Sequence, residues 1–318
     1  MKEIGGYFDF ECYTKKHYHC NALRLNSARY AIEYILKVRE IQKIYIPYYV
    51  CDSVINMIKK NNIEVQFYNI SESFMPVFNK QLNNKEVILI VNYFGLLTDI
   101  IPKLSRKFKN VIIDNTQAFF VKPINEIDTV YSARKFVGVS DGGYLYTNCK
   151  KNLKIEQDIS YDRYMYILKR SDLNAESGYQ DFIANEELLN KEHMKKMSNL
   201  TSKILESLDY EYMKNKRKFN FNILDNAFRR VNKIKIPSSL KDNGPMVYPL
   251  LIEEDIREKL IENKIFVATY WKEVLNKVEK TSFEYYITNK LVPLPIDQRY
   301  DQDDMLHIIN VVNKYKKM

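Results

Sequence analysis

The segment Tyr131 to Leu145, YSARKFVGVSDGGYL, places a single lysine, Lys135, between the small residues Ser132 and Gly138. Asp141-Gly142-Gly143 then leads into the strand-like stretch GYLYTN. The chain has 8 glycines in 318 residues, and three of them fall at 138, 142 and 143. Glycine permits positive φ and close backbone approach, so this concentration predicts a sharp loop against something tightly fitted. An amine beside such a turn can act as a Schiff-base nucleophile when its neighbours lower its pKa. The competing reading is a solvated lysine ahead of a hairpin, the ordinary state of most of the 49 Lys and Arg side chains. The residues that weigh between the two lie upstream: Ser27-Ala28-Arg29, Tyr48-Tyr49, and Asp114 with Gln117.

The elements that must position them can be read from periodicity. In SARYAIEYILKVR (27–39), Ala28, Ala31, Ile32 and Ile35 fall on one helical face with Arg29, Glu33 and Lys37 opposite, and Asn26 or Ser27 is a natural N-cap. KIYIPYYV (43–50) predicts a strand running into a loop, CDSVINMIKKNN a helix, and EVQFYNI (64–70) the next strand. EVILIVNYF (86–94) is a continuous apolar run suited to a buried parallel strand. A helix over roughly 99–108, strands at 110–115 and 128–133, and GYLYTN as the last strand complete an alternating pattern. This alternation predicts an α/β fold with a mostly parallel sheet covered on both faces.

From about 155 to 230 the pattern is helical and charged, with Asp209 placed to cap the long helix ending near Phe228. A smaller α/β unit follows, with strands at 246–252 and KLVPLPI, whose Pro293 and Pro295 confine it to a sheet edge. The closing helix opens at Asp301 or Gln302 and turns Met305, Ile308, Ile309 and Val312 inward. Two packed lobes are expected, residues 1–205 as a large α/β domain and 206–318 as a linking helix with a small C-terminal α/β domain.

Ligands of open parallel sheets bind beyond the carboxyl ends of the strands. Taken in order, those ends carry Ser27 and Arg29 at a helix start suited to an anion such as phosphate. Next come Tyr48 or Tyr49, able to stack on a flat heterocycle, then Asp114 with Gln117 on a buried strand, then Lys135. Singly, each has a plain structural explanation: a cap, two of 25 tyrosines, a loop carboxylate. Together they are the parts that pyridoxal 5'-phosphate chemistry requires. The phosphate needs a helix N-terminus, the carboxylate holds the pyridine nitrogen protonated, and the lysine forms the imine and moves the proton.

At these residues the chain resembles the DegT/DnrJ/EryC1/StrS family of pyridoxal-phosphate-dependent sugar aminotransferases, a branch of the fold-type-I superfamily. IPYYVCDSV, VQFYNI and VNYFG look like the family's early strands, and IDNTQAFF like its Asp-x-x-Gln motif. YSARKFVGVSDGG looks like the Ser…Lys…Gly-Gly segment, KRKFNFNIL like the helix between lobes, and LVPLPIDQRYDQDDM like the C-terminal signature. The resemblance implies a fold-type-I large domain with a small C-terminal domain. Within it Lys135 is the Schiff-base lysine, Asp114 meets the pyridine nitrogen, and Gln117 lies by the ring hydroxyl. Ser27, Ala28, Arg29 and Ser132 meet the phosphate, and Tyr48 or Tyr49 stacks on the ring. It further implies glutamate as amino donor, a keto-sugar acceptor (nucleotide-linked, for a surface polysaccharide or secondary metabolite), and a homodimer. The chain departs in having Ser27-Ala28-Arg29 where Ser-Gly-Thr is common, in its serine three rather than five residues before the lysine, and in carrying SGYQDFIANEELL where the family has Asn-x-Arg-Met. A different reaction of the same cofactor, such as elimination, and a non-catalytic scaffold are the alternatives. Lys135 weighs against the family's sugar dehydratases, which carry histidine there.

Composition narrows the field further. Hydrophobic content of 46% and charged content of 28% are those of a globular protein. No apolar run spans a bilayer, and MKEIGGYFDF lacks the pattern of a secretory signal, so a cytoplasmic protein is expected. The formal charge of +9 suits a phosphorylated partner, but the lysines form no stripe of the nucleic-acid-binding kind. Cys12, Cys20, Cys51 and Cys149 have no pairing spacing, and Cys12, His17, His19 and Cys20 lack the spacing of a structural zinc site, so no metal is expected.

Overall fold

Five strands run parallel at the centre of one eight-stranded sheet, and their carboxyl ends all open on the same side. The computed structural model describes residues 4–108 and 110–316. In chain order, β1 is Leu23–Leu25, α1 Ala28–Val38, β2 Lys43–Pro47, α2 Asp52–Lys60, β3 Glu64–Ile70, β4 Pro76–Val77 and β5 Glu86–Val91. Then come α3 Ile101–Lys107, β6 Val111–Asp114, β7 Asp128–Ser132 and β8 Gly143–Tyr146. The sheet order is β1-β8-β7-β6-β5-β2-β3-β4. The chain steps outward from β2 to β3, then returns to the other side of β2 with β5, so the order reverses between β2 and β5. Crevices at such reversals are where open α/β sheets bind ligands.

The apolar runs explain the centre. All of β6 and β7 and five of the six residues of β5 are buried, as strands covered on both faces must be. Two short edge strands, β1 and β4, escape periodicity because three and two residues are too few to show alternation.

The helical stretch resolves into α4 Met165–Asp172, α5 Tyr179–Lys191, α6 Asn199–Glu206 and α7 Tyr210–Phe228. Asp209 caps α7 by accepting from Tyr212 N at 2.9 Å. Beyond it, β9 Val247–Leu251 and β10 Leu291–Pro295 form a separate two-stranded antiparallel sheet, with α8 Arg257–Glu262 and α9 Phe283–Lys290 between them in sequence. In a two-stranded ribbon every strand is an edge, and Pro293 sits opposite Pro249 without breaking the pairing. The last helix, α10 Gln302–Tyr315, opens with an Asp301/Asp304 capping box and buries Met305, Ile308 and Val312, while Ile309 is half-buried. No helix among the described residues is long and apolar enough to cross a membrane.

Candidate active site

A cavity of about 660 Å³ opens at the carboxyl ends of the parallel strands. Much of its polar wall comes from a strand end or the turn beyond it, with Glu186 of α5 and Arg217 of α7 added from the side. Ser27, Ala28 and Arg29 start α1, Asp114 ends β6, Thr116 and Gln117 follow it, and Ser132 ends β7 with Arg134 and Lys135 just beyond.

The start of α1 is a cradle with its donors uncommitted. Ser27 stands at the N-cap position in extended conformation (φ −157°, ψ 154°), yet its hydroxyl accepts no bond from the helix. The first-turn N–H groups and the hydroxyl are therefore left for an anion. Gly143 explains how β8 passes beneath this turn. A Cβ there would lie 2.5 Å from Ala28 N and 2.7 Å from the Ser27 carbonyl oxygen. Its neighbour Gly142 needs glycine for another reason, a φ of +123°. Gly138, by contrast, is under neither constraint.

Asp114 is buried, and its Oδ1 accepts from Thr116 N at 2.8 Å. Burial raises its carboxyl pKa, opposed by the Thr116 bonds and by the charge of Lys135. Gln117 is buried too, and its Oε1 accepts from Phe94 N at 2.9 Å. That bond fixes the carboxamide and leaves its Nε2 as a donor at the cavity wall. Phe94 itself has φ 55°, in the sharp turn after β5 that presents this N–H.

Lys135 projects into the cavity. Its side chain is accessible through the opening but ringed by protein, and this enclosure lowers its pKa. Cys51 and Asp114 act to raise it, while Arg134 and Arg29 lower it. The Lys135 Nζ stands 6.0 Å from the centre of the Tyr270 ring. Two neighbours are tied to α5 on the outer wall: Arg29 Nη1 donates to Asn190 Oδ1, and Arg134 pairs with Glu186.

The stacking tyrosine expected from the strand end is not in the cavity wall. Tyr48 stacks on Phe67, with centroids 5.0 Å apart and planes 16° from parallel. Tyr49 is fully buried between Tyr93 and Trp271, one layer behind the wall. The cause is the turn after Pro47, in which Tyr48 N bonds Tyr68 O and Val50 N bonds Tyr48 O. It delivers Val50 and Cys51 to the cavity instead. The aromatic wall is Phe182, Phe266, Tyr270 and Trp271. The last three come from the segment between α8 and α9, where no motif singles them out. Arg134, Glu186 and Arg217 line the cavity too; each lies in a stretch the sequence marks, YSARKFVGVSDGG, SGYQDFIANEELL and KRKFNFNIL, but none is set apart there as a site residue.

His17 and His19 belong to a different place. His17 Nδ1 meets the Tyr144 hydroxyl at 2.7 Å and its Nε2 the Ser202 hydroxyl at 2.9 Å. His19 Nε2 meets the Phe119 carbonyl at 2.8 Å, which makes it the donor. Both are buried core rings.

The donor set fits pyridoxal 5'-phosphate. An open helix start with an adjacent guanidinium suits the phosphate, a buried carboxylate suits a pyridinium, and a free carboxamide N–H suits a ring oxygen. An enclosed amine suits the aldehyde.

A scan against protein-family models found no match, and a search of curated proteins found none either. Solved structures do match. One is a DegT DnrJ EryC1 StrS aminotransferase from Brucella abortus, at 14% identity and a TM-score of 0.61 over 93% of this chain and 86% of that one. Another is PseC of Helicobacter pylori, an aminotransferase involved in the biosynthesis of pseudoaminic acid, at 16% identity and 0.58 over 92% and 86%. A third is NtdA of Bacillus subtilis with bound cofactor PMP, at 14% identity and 0.63 over 92% and 73%. The large, mostly parallel sheet with its smaller C-terminal unit is thus the fold of the DegT/DnrJ/EryC1/StrS aminotransferases.

Proposed function

We propose that this chain is a pyridoxal-phosphate-dependent aminotransferase that moves an amino group from glutamate onto a keto-sugar, nucleotide-linked, in a route to a surface polysaccharide or secondary metabolite. One observation carries the reading: Ser27, Ala28, Arg29, Asp114, Gln117, Ser132 and Lys135, from three separate segments, line one cavity. Folding alone does not require a buried carboxylate, an uncommitted helix start and an enclosed lysine to converge.

The bound cofactor would supply an aldehyde that condenses with amines and a ring that accepts electron density. The α1 start, Arg29 and Ser132 would hold the phosphate. Asp114 would keep the ring nitrogen protonated, and the Gln117 Nε2 would donate to the ring oxygen. Lys135 would hold the aldehyde carbon and, as a free amine, move a proton at its Nζ. Its lowered pKa favours the neutral amine that both tasks need.

Residues 1–205 act as the cofactor domain and 206–318 as the domain closing the aromatic wall. The working form is a cytoplasmic homodimer. What supports the dimer is the apolar surface beside the cavity mouth, where Met165, Leu168, Leu173, Tyr179 and Phe182 are exposed on and between α4 and α5. The test is to incubate the protein with pyridoxal 5'-phosphate, reduce with borohydride and map the peptides. The cofactor is expected on Lys135; labelling of another lysine, or none, overturns the reading.

A further inference from the structure

Arg217 is buried on α7, and among the described residues no carboxylate pairs with it. The one whose charge acts on it, Asp297, bonds Arg299 through both oxygens, at 2.7 and 2.8 Å. Arg217 instead spends its N–H groups on neutral acceptors. Nε donates to Gln298 Oε1 at 3.0 Å, Nη1 to the carbonyls of Pro245 and Met246 at 3.1 Å each, and Nη2 to the Phe136 carbonyl at 3.2 Å. Gln298 Nε2 donates to that same Phe136 carbonyl at 3.0 Å. Arg217, Gln298 and the Phe136 carbonyl thus close a triangle, and the Phe136 ring lies 4.7 Å from the guanidinium carbon.

A buried guanidinium whose nearby carboxylate is already bonded to another arginine is costly, and a neutral apolar side chain would fill the space at lower cost. With four of its five N–H groups engaged by protein, it is also poorly placed to grip a substrate. Its bonds join three things: the residue after Lys135, the entry to β9, and the loop after β10. Side chains anchor the Lys135 turn through the Arg134–Glu186 pair and the Phe136 ring packed on Phe119 and Phe120, but its backbone has few other ties. Phe136 N and Val137 N bond back to Ala133 within the turn. Outside it, Ala133 N reaches Gly142 O, and the Val139 carbonyl accepts from the Tyr166 hydroxyl at 3.0 Å.

We propose that Arg217, acting with Gln298, is a positioning residue for Lys135: it pins the Phe136–Val137 peptide, one residue beyond the lysine, to the two-stranded sheet and keeps the amine inside the cavity. This rests on the reading of Lys135 as the reactive amine. Without the clamp the turn relaxes, and Lys135 swings away from the cavity wall and behaves as an ordinary lysine.

Reductive methylation with formaldehyde and a borohydride, mapped by peptide mass across pH, reads Lys135 without any cofactor. In wild type its reactivity midpoint should lie below those of the surface lysines. Gln298→Ala and Arg217→Lys should move it upward by about one unit, a tenfold loss of neutral amine near pH 7. Gln298 lies half-buried in a loop, so Gln298→Ala decides the matter if Arg217→Lys does not fold. An unchanged midpoint in the folded variants overturns the clamp. If the midpoints move but wild-type Lys135 takes up no cofactor, the clamp stands and the aminotransferase reading falls. If Lys135 takes up cofactor but the midpoints do not move, the reverse holds.

Discussion

Gly143 lies so close under Ser27 that a Cβ would sit 2.7 Å from the Ser27 carbonyl oxygen and 2.5 Å from the next backbone nitrogen. The strand after the Lys135 turn therefore supports the start of the helix that would take the phosphate. Gly143→Ala should lift that turn. Overpacking against backbone costs about 1–3 kcal/mol, so the variant should melt several degrees lower. It should bind pyridoxal 5'-phosphate at least tenfold more weakly while losing much less affinity for pyridoxal, which has no phosphate. Equal losses for both ligands would mean that the glycine serves the fold alone.

How much of this was legible depends on where the signal is stored. The buried runs of β5 and β6 and the Asp209 cap are local patterns, and each stands where periodicity puts it. The single apolar face expected of α1 is too narrow: the helix is covered nearly all round, with Glu33 buried and paired to Lys37. The convergence of Ser27, Asp114 and Lys135 follows from alternation, because parallel strands must end on one side. Tyr48 and Tyr49 show the limit. The rule locates the strand end but not the turn after Pro47, and a turn of two residues decides which side chain enters the cavity. Tyr270 and Trp271 lie beyond any local rule, since they reach the cavity only through packing of the C-terminal unit. Arg217 lies in KRKFNFNIL, a stretch with a family likeness, yet its burial and its bonds appear only in tertiary contact.

Asp114→Asn separates electrostatics from structure. The amide oxygen can still accept from Thr116 N, and a buried charge is removed, so stability should hold or rise. A neutral amide cannot keep the ring nitrogen protonated, and turnover should fall by about 10²–10³. Near-normal turnover would reduce Asp114 to a loop residue.

Acid should weaken the fold through the core histidines. Burial lowers the pKa of His19 to about 3 and that of His17 to about 4. In the unfolded chain both titrate near 6.5, so between the two values the unfolded state binds more protons and stability falls as pH falls. For His19 the loss between pH 7 and pH 5 is about 2 kcal/mol, and His17 adds in the same direction. Urea midpoints across that range should drop, and His19→Gln should flatten the dependence. A wild-type midpoint independent of pH would show that these rings titrate in the fold as they do in the unfolded chain.

The reaction itself divides into halves, and the first needs no knowledge of the acceptor. Glutamate alone should convert the bound cofactor to its amine form and release one equivalent of 2-oxoglutarate, seen as loss of the visible band. Lys135 must be near enough to the donor's α-carbon to move its proton, and the turn that ends in Gly142-Gly143 holds it there with its pKa lowered by enclosure. Lys135→Ala should still bind the cofactor through the α1 start, Asp114 and Gln117, because none of those contacts involves the amine. It should not complete the half-reaction, since proton transfer by a positioned base is worth about 10²–10⁴ in rate. Added methylamine should restore part of the lost rate if the missing element is only a base. If glutamate, glutamine, aspartate and alanine all leave the wild-type spectrum unchanged, transamination is the wrong reaction, and an elimination on the same cofactor becomes the one to assay.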